Sequence, residues 1–96
     1  MDGLKRFDVA EHGGVRMVVV ESELLPPDPA VVVIPILRGY PAVRGLNPTI
    51  EHDGTTYVLA TRLIASVRRA ALRRVGTVSA QADEITRALD VLMAGV

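Results

Sequence analysis

The sequence contains no cysteine. That excludes disulfides and thiolate metal sites, and it is compatible with the cytosol. No apolar run is long enough to span a bilayer; the longest, Ala30 to Leu37, contains Pro35 and reads as a buried strand. Net charge is also missing, since eleven basic and eleven acidic residues cancel. A neutral chain has no general electrostatic grip on nucleic acid, so no direct nucleic-acid binding is expected, although a local basic patch is still allowed. The start, Met1-Asp2-Gly3-Leu4-Lys5-Arg6, is charged but leads into no apolar stretch, so no secretory signal is expected. There is no phosphate-binding glycine loop, zinc-ligand cluster or nucleophile elbow. No cofactor or metal is therefore expected. The two histidines, His12 and His52, both fall in expected hairpin turns beside a carboxylate, Glu11 or Asp53. Such pairs are capable of acid/base work, but the expectation is solvent-exposed turn residues. Ser66 and Ser79 have no evident base partner, and the whole points away from an enzyme.

What remains is a small domain, residues 1–96, with enough apolar residues for a modest core without metal or disulfide. Its first half reads as strands. Leu4 to Ala10 alternates partly, with Phe7 and Val9 inward. Glu11-His12-Gly13-Gly14 makes a turn, and the β-branched stretch Val15 to Glu21 returns antiparallel with Val18 and Val20 inward. Val31 to Leu37 is the strongest strand; Pro35 has no N–H and must sit at an edge, a bulge or a bend. Thr49 to Glu51 and Thr55 to Ala60 form a second hairpin about Asp53-Gly54, with Tyr57 and Leu59 inward. Leu63 to Ser66 suits a short helical turn, and Ala70 to Val75 a last strand.

The chain closes on an amphipathic helix from about Ala80 to Met93. Ile85, Ala88, Leu89 and Leu92 recur at helical spacing, Ser79 is the candidate N-cap, and Asp83 and Glu84 suit the helix dipole. About five short strands and one helix predict a mainly β fold, a small strongly bent sheet or barrel with the helix packed on it.

Two features stand outside a core reading. Leu24-Leu25-Pro26-Pro27-Asp28-Pro29 places two leucines at the mouth of a stiff loop. They are either a lid on the core or an exposed contact. Arg62, Arg68, Arg69, Arg73 and Arg74 lie together with no acidic residue among them. They form either a solvated face or a docking surface for an acidic segment or phosphate.

Four stretches resemble the CcdB toxins of bacterial toxin–antitoxin modules. They are Ile34-Pro35-Ile36-Leu37, the segment from Leu46-Asn47-Pro48 through Ile50, Ala65-Ser66-Val67, and Ala82-Asp83-Glu84-Ile85 through Leu92-Met93-Ala94-Gly95-Val96. The hairpin order and the C-terminal helix fit as well, so the resemblance covers nearly the whole chain. It implies an SH3-like barrel of strongly bent antiparallel strands with one C-terminal α-helix. It also implies a cytoplasmic homodimer, a role in plasmid maintenance, and no catalysis. In the family the toxin binds the DNA gyrase A subunit and traps a covalent cleavage complex, and a CcdA antitoxin neutralises it through a disordered segment that folds on contact.

The resemblance carries gyrase binding to Leu24 and Leu25 and to Asp90, Met93, Ala94, Gly95 and Val96. The family has an asparagine at the position of Asp90, a phenylalanine at Met93, and a Trp-Gly-Ile terminus where this sequence reads Ala94-Gly95-Val96. A buried aromatic is a typical hot spot whose truncation removes ~2 kcal/mol or more. Ala94 therefore implies either a different set of gyrase contacts or a different target. Antitoxin tails are commonly acidic, which implies a role for Arg68, Arg69, Arg73 and Arg74 in holding one. Two other functions fit the same features. One is a MazF-like endoribonuclease, whose family shares the barrel. The other is a degenerate toxin that keeps only antitoxin binding.

Overall fold

In the computed structural model, which describes residues 3–94, seven strands precede one α-helix. They are β1 (Asp8–His12), β2 (Val15–Val19), β3 (Ala30–Leu37), β4 (Thr49–His52), β5 (Thr55–Leu59), β6 (Ala65–Arg68) and β7 (Arg73–Thr77), followed by α1 (Ala82–Ala94). Every pairing is antiparallel, in the order β4-β5-β3-β2-β1-β7, with β6 also on β3. The sheet curls strongly into a half-barrel, and the helix closes the chain. The mainly β architecture with a C-terminal helix is the one the sequence predicts.

Both hairpins form where expected. Gly13 and Gly14 have φ of 59° and 78°, and Asp53 and Gly54 have φ of 52° and 74°. Two successive positive φ values give the tight turn whose twist matches that of the flanking strands. The first strand starts later than its alternation suggests. Phe7 has φ of 72°, a left-handed backbone that ends any extended run. Before it, the Asp8 carboxylate accepts the Lys5 N–H at 2.8 Å and the Lys5 carbonyl accepts the Asp8 N–H at 3.0 Å. The polar side chain thus closes its own turn.

Pro35 explains how β3 serves two partners on one edge. Ala30 to Val33 pair with β6, and Ile36 and Leu37 pair with β5. Pro35 lies at the seam between them, where its carbonyl accepts the Ala60 N–H at 2.9 Å. In an extended strand a residue's N–H and C=O point to the same side, so the missing donor faces the gap where one neighbour leaves and the next begins. On the other edge β2 runs past it unbroken, with Met17 opposite Pro35.

The strands β2 and β3 are buried on both faces. One face carries Val18, Val20, Ile34 and Ile36 into a cluster with Val9, Ile50, Leu59, Val78, Ile85 and Ala88. The other carries Met17, Val19, Val31 and Val33 into a second cluster, covered by Leu4, Val67 and Leu72. The inward positions Val18, Val20 and Leu59 agree with the alternation, and Phe7 and Tyr57 pack against the first cluster from partly exposed positions. The second cluster is what alternation misses, because a strand covered on both sides reads as a continuous β-branched run.

The connections differ in detail from the sequence reading. The short helical turn forms at Thr61–Leu63 instead of Leu63 to Ser66. Ala65 and Ser66 extend instead, because they find Val33 and Val32 as partners on β3. The last strand runs over Arg73–Thr77, since Arg69–Ala71 is a 3-10 turn. At the helix, Ser79 does not act as N-cap. A 3-10 turn at Ser79–Gln81 precedes α1, and the Thr77 hydroxyl accepts the Ser79 N–H at 3.2 Å. Ile85 and Ala88 are fully buried, and Leu89 packs beside them.

His52 is a correction. It was expected exposed in a turn, but it is only 6% exposed. It ends β4 on the same face as buried Ile50, and it sits against Gly76, which has φ of 156°. A Cβ at Gly76 would lie 2.6 Å from His52 Nε2. Moving the ring aside would disturb the bond that Nδ1 makes with Arg16 Nη1 at 2.9 Å. His12 is exposed, as expected. Gly76→Ala is expected to destabilise the fold by about 1–3 kcal/mol through this overlap, measured by urea unfolding. His52→Ala in the same chain should relieve part of that loss; additive losses would show that the overlap is not the cause.

Candidate functional site

The residues singled out by the sequence fall into three regions. The first is the loop after β2. Ser22 anchors its start, accepting the Leu24 N–H on its hydroxyl at 3.1 Å and the Leu25 N–H on its carbonyl at 3.3 Å. Three prolines then hold the chain extended until Ala30 donates its N–H to Asp28 Oδ2 at 2.9 Å. Leu24 is 94% exposed, and Leu25 is exposed as well. Of the two readings open in the sequence, the exposure of Leu24 excludes a lid on the core. Beneath the loop lies an open cavity of about 610 Å³. Its apolar walls include Leu4, Val19, Leu25, Pro26, Pro27 and Val31, and its charged walls include Arg6, Glu21, Glu23 and Arg69.

The second region is the end of α1. Asp90 and Ala94 are exposed, and Met93 is 79% exposed. Gly95 and Val96 lie outside the described residues. The helix packs on the first cluster, whereas the leucine loop borders Val19 and Val31 of the second. The loop and the helix end are thus built on different faces of the β2–β3 ribbon.

The third region is the arginine strip, and most of it is engaged within the protein. Arg74 Nε donates to Asp8 Oδ2 at 3.1 Å, and its Nη2 donates to Asp8 Oδ1 at 3.5 Å. Arg73 pairs with Glu11. Arg69 Nη2 donates to Glu21 Oε2 at 3.5 Å, and its Nε donates to the Asp28 carbonyl at 3.0 Å. Arg68, at the end of β6, is exposed. The pairing of β7 with β1 brings Arg73 opposite Glu11 and Arg74 opposite Ala10, beside Asp8. A run that looks uncompensated along the chain is compensated across the sheet.

Among the described residues, no group of three or more histidines, aspartates and glutamates could hold a metal ion, and no helix is long and apolar enough to cross a membrane. The sequence reading set His52 beside Asp53, and the structure adds Arg16 to that pair. There Arg16 Nη1 reaches His52 Nδ1 and, at 3.2 Å, Asp53 Oδ2. Arginine only donates, so His52 Nδ1 accepts. This group seats the second hairpin on β2.

The model of the family described as CcdB protein matches residues 6–95. This chain belongs to the CcdB family. The match takes in both hairpins, the leucine loop and the whole of α1. Family membership makes the chain a CcdB-type toxin; toxins of this family are gyrase poisons and not enzymes. A search of curated proteins finds no match.

The ion pairs separate structural from available arginines. Asp8 is only 4% exposed, so removing its guanidinium partner leaves a buried carboxylate poorly compensated. Arg74→Ala is expected to lower stability by about 1–3 kcal/mol, and Arg68→Ala to stay within about 0.5 kcal/mol of the parent. Urea denaturation of both variants reads the difference.

Proposed function

We propose that this CcdB-type protein acts as a homodimer that binds the DNA gyrase A subunit and traps the gyrase–DNA cleavage complex, and that a CcdA-like antitoxin neutralises it. The observation that carries the reading is the almost fully exposed Leu24 on a proline-stiffened loop, in a chain of this family. A large apolar side chain held out on a rigid support suits partner contact, since little ordering entropy is lost on binding. Leu24 and Leu25 are the first part of the gyrase contact. Asp90, Met93, Ala94, Gly95 and Val96 are the second, and exposed Met93 supplies flexible apolar bulk there. In a two-fold dimer each patch occurs twice, which suits a symmetric target.

The antitoxin reading rests on the arginines. Of Arg68, Arg69, Arg73 and Arg74, exposed Arg68 is the one from which an acidic tail displaces no acid partner identified within the fold. At the other three an incoming carboxylate exchanges with Glu21, Glu11 or Asp8. The action is assigned to the cytoplasm, in plasmid maintenance, with residues 1–96 as one toxin domain.

Ala94 supports a second reading, a degenerate toxin that retains antitoxin binding alone, because the helix end lacks an aromatic anchor.

Purified protein incubated with gyrase of its host, supercoiled DNA and ATP should yield protein-linked double-strand breaks. Replacing both Leu24 and Leu25 with serine, or deleting the last three residues, should abolish them without unfolding the protein. No breaks at saturating protein would remove gyrase as the target and leave the antitoxin-binding reading.

A further inference from the structure

The leucine loop bridges a cavity instead of packing down on a core, so its position needs another explanation. Prolines stiffen it but do not fix its angle to the sheet. Within the loop, the hydrogen bonds of Leu24 and Leu25 return to Ser22, and that of Ala30 returns to Asp28. These bonds shape the loop locally. Glu23 Oε2 accepts the Arg6 N–H at 3.2 Å, which holds the loop at one point; Arg69, from the 3-10 turn between β6 and β7, reaches both of its feet. Its Nη2 donates to Glu21 Oε2 at the foot leaving β2, and its Nε donates to the Asp28 carbonyl at the foot entering β3. Its backbone N–H adds a bond to the Pro29 carbonyl at 2.7 Å.

The near foot is itself anchored, because Glu21 Oε1 accepts the Val32 N–H at 3.3 Å. The ion pair is largely shielded, with side chains 18% exposed for Arg69 and 14% for Glu21. Solvent and salt therefore weaken it less than a surface pair. A guanidinium suits the task, because its planar fork offers donors in two fixed directions at once. The ammonium of a lysine has no such fixed fork.

We propose that Arg69 is a positioning residue, a clasp that spans the two feet of the loop and sets the direction in which Leu24 and Leu25 are presented. Towards gyrase it acts through the loop and does not itself make the contact. The part that concerns gyrase rests on the function proposed above; the part that concerns loop order does not.

The test uses the full chain with Arg69→Ala and Arg69→Lys, and with Arg44→Ala, at an exposed arginine outside the proposed contacts, as the control. Backbone order parameters of Leu24 and Leu25 are read by 15N relaxation in the free protein, and association with the gyrase A subunit is read by stopped flow. The parent should show values near 0.85, and both Arg69 variants should fall towards about 0.6. Association should slow roughly fivefold or more in both, as expected when binding must first order the loop, and the Arg44 variant should change neither quantity. Lysine keeps the charge and guards against an alanine variant that fails to fold. Unchanged order parameters in the lysine variant overturn the clasp. A looser loop with unchanged association overturns its role in presentation. If the parent does not bind the gyrase A subunit at all, the target reading fails, and the order parameters still decide whether Arg69 holds the loop.

Discussion

The fold depends on covering the β2–β3 ribbon from both sides at once. Val18, Val20, Ile34 and Ile36 need one cover, and Met17, Val19, Val31 and Val33 need another. The first comes from α1 and the second hairpin, and the second from Leu4, Val67 and Leu72. A flat sheet of this length could not provide both. Pro35 lets β3 exchange β6 for β5 along one edge, so the sheet divides and curls there. The chain from β6 through β7 then travels from the β3 edge to the β1 edge and closes the second face. Burying each large aliphatic side chain contributes roughly 1.5–3 kcal/mol, which is why two clusters of modest size hold a chain with one phenylalanine and no tryptophan.

Charge follows from that crossing. The segment between β6 and β7 is rich in arginine, and the path it must take runs beside Glu21, Asp8 and Glu11. Arg69, Arg73 and Arg74 each meet an acid from β1 or from just after β2, whereas Arg68 stays exposed, so most of the strip is neutralised locally. The exposed pairs contribute little individually. The shielded acids Asp8 and Glu21 matter more, because a carboxylate withdrawn from water needs donors wherever it faces. Arg73 and Arg74 seat β7 on β1, and Arg69, a few residues before them, ties the leucine loop to the 3-10 turn.

Much of this was legible in the sequence, and the exceptions have physical causes. Gly13-Gly14 and Asp53-Gly54 announced their hairpins because positive φ is written in residue type. Pro35 announced a bend because it lacks a donor. Ile85 and Ala88 announced a helix face by spacing. Leu4 to Ala10 misled because nothing in a phenylalanine signals a left-handed backbone. His52 misled because its burial depends on Gly76, a residue distant in sequence. The arginine strip looked available for the same reason, since Glu11 and Asp8 lie more than sixty residues away. Local chemistry was readable, and compensation across the sheet was not. Among the site residues, Leu24 could be read as a lid or a contact, and only its exposure in the fold excludes the lid.

An exposed leucine on a stiff loop over a cavity contributes nothing to stability where it stands. Rotated inward, the same side chain would fill part of the space beneath it and gain apolar burial. The proline run and the polar ties at both feet prevent that collapse. On the proposed reading this arrangement offsets the loss at the other end of the interface, where Ala94 takes the place of an aromatic anchor. A contact with a weaker hot spot recovers affinity when fewer groups must be ordered on binding. Rigidity of the loop and truncation of the helix end are then two sides of one balance, and the loop is the half of the interface to which partner recognition should be most sensitive.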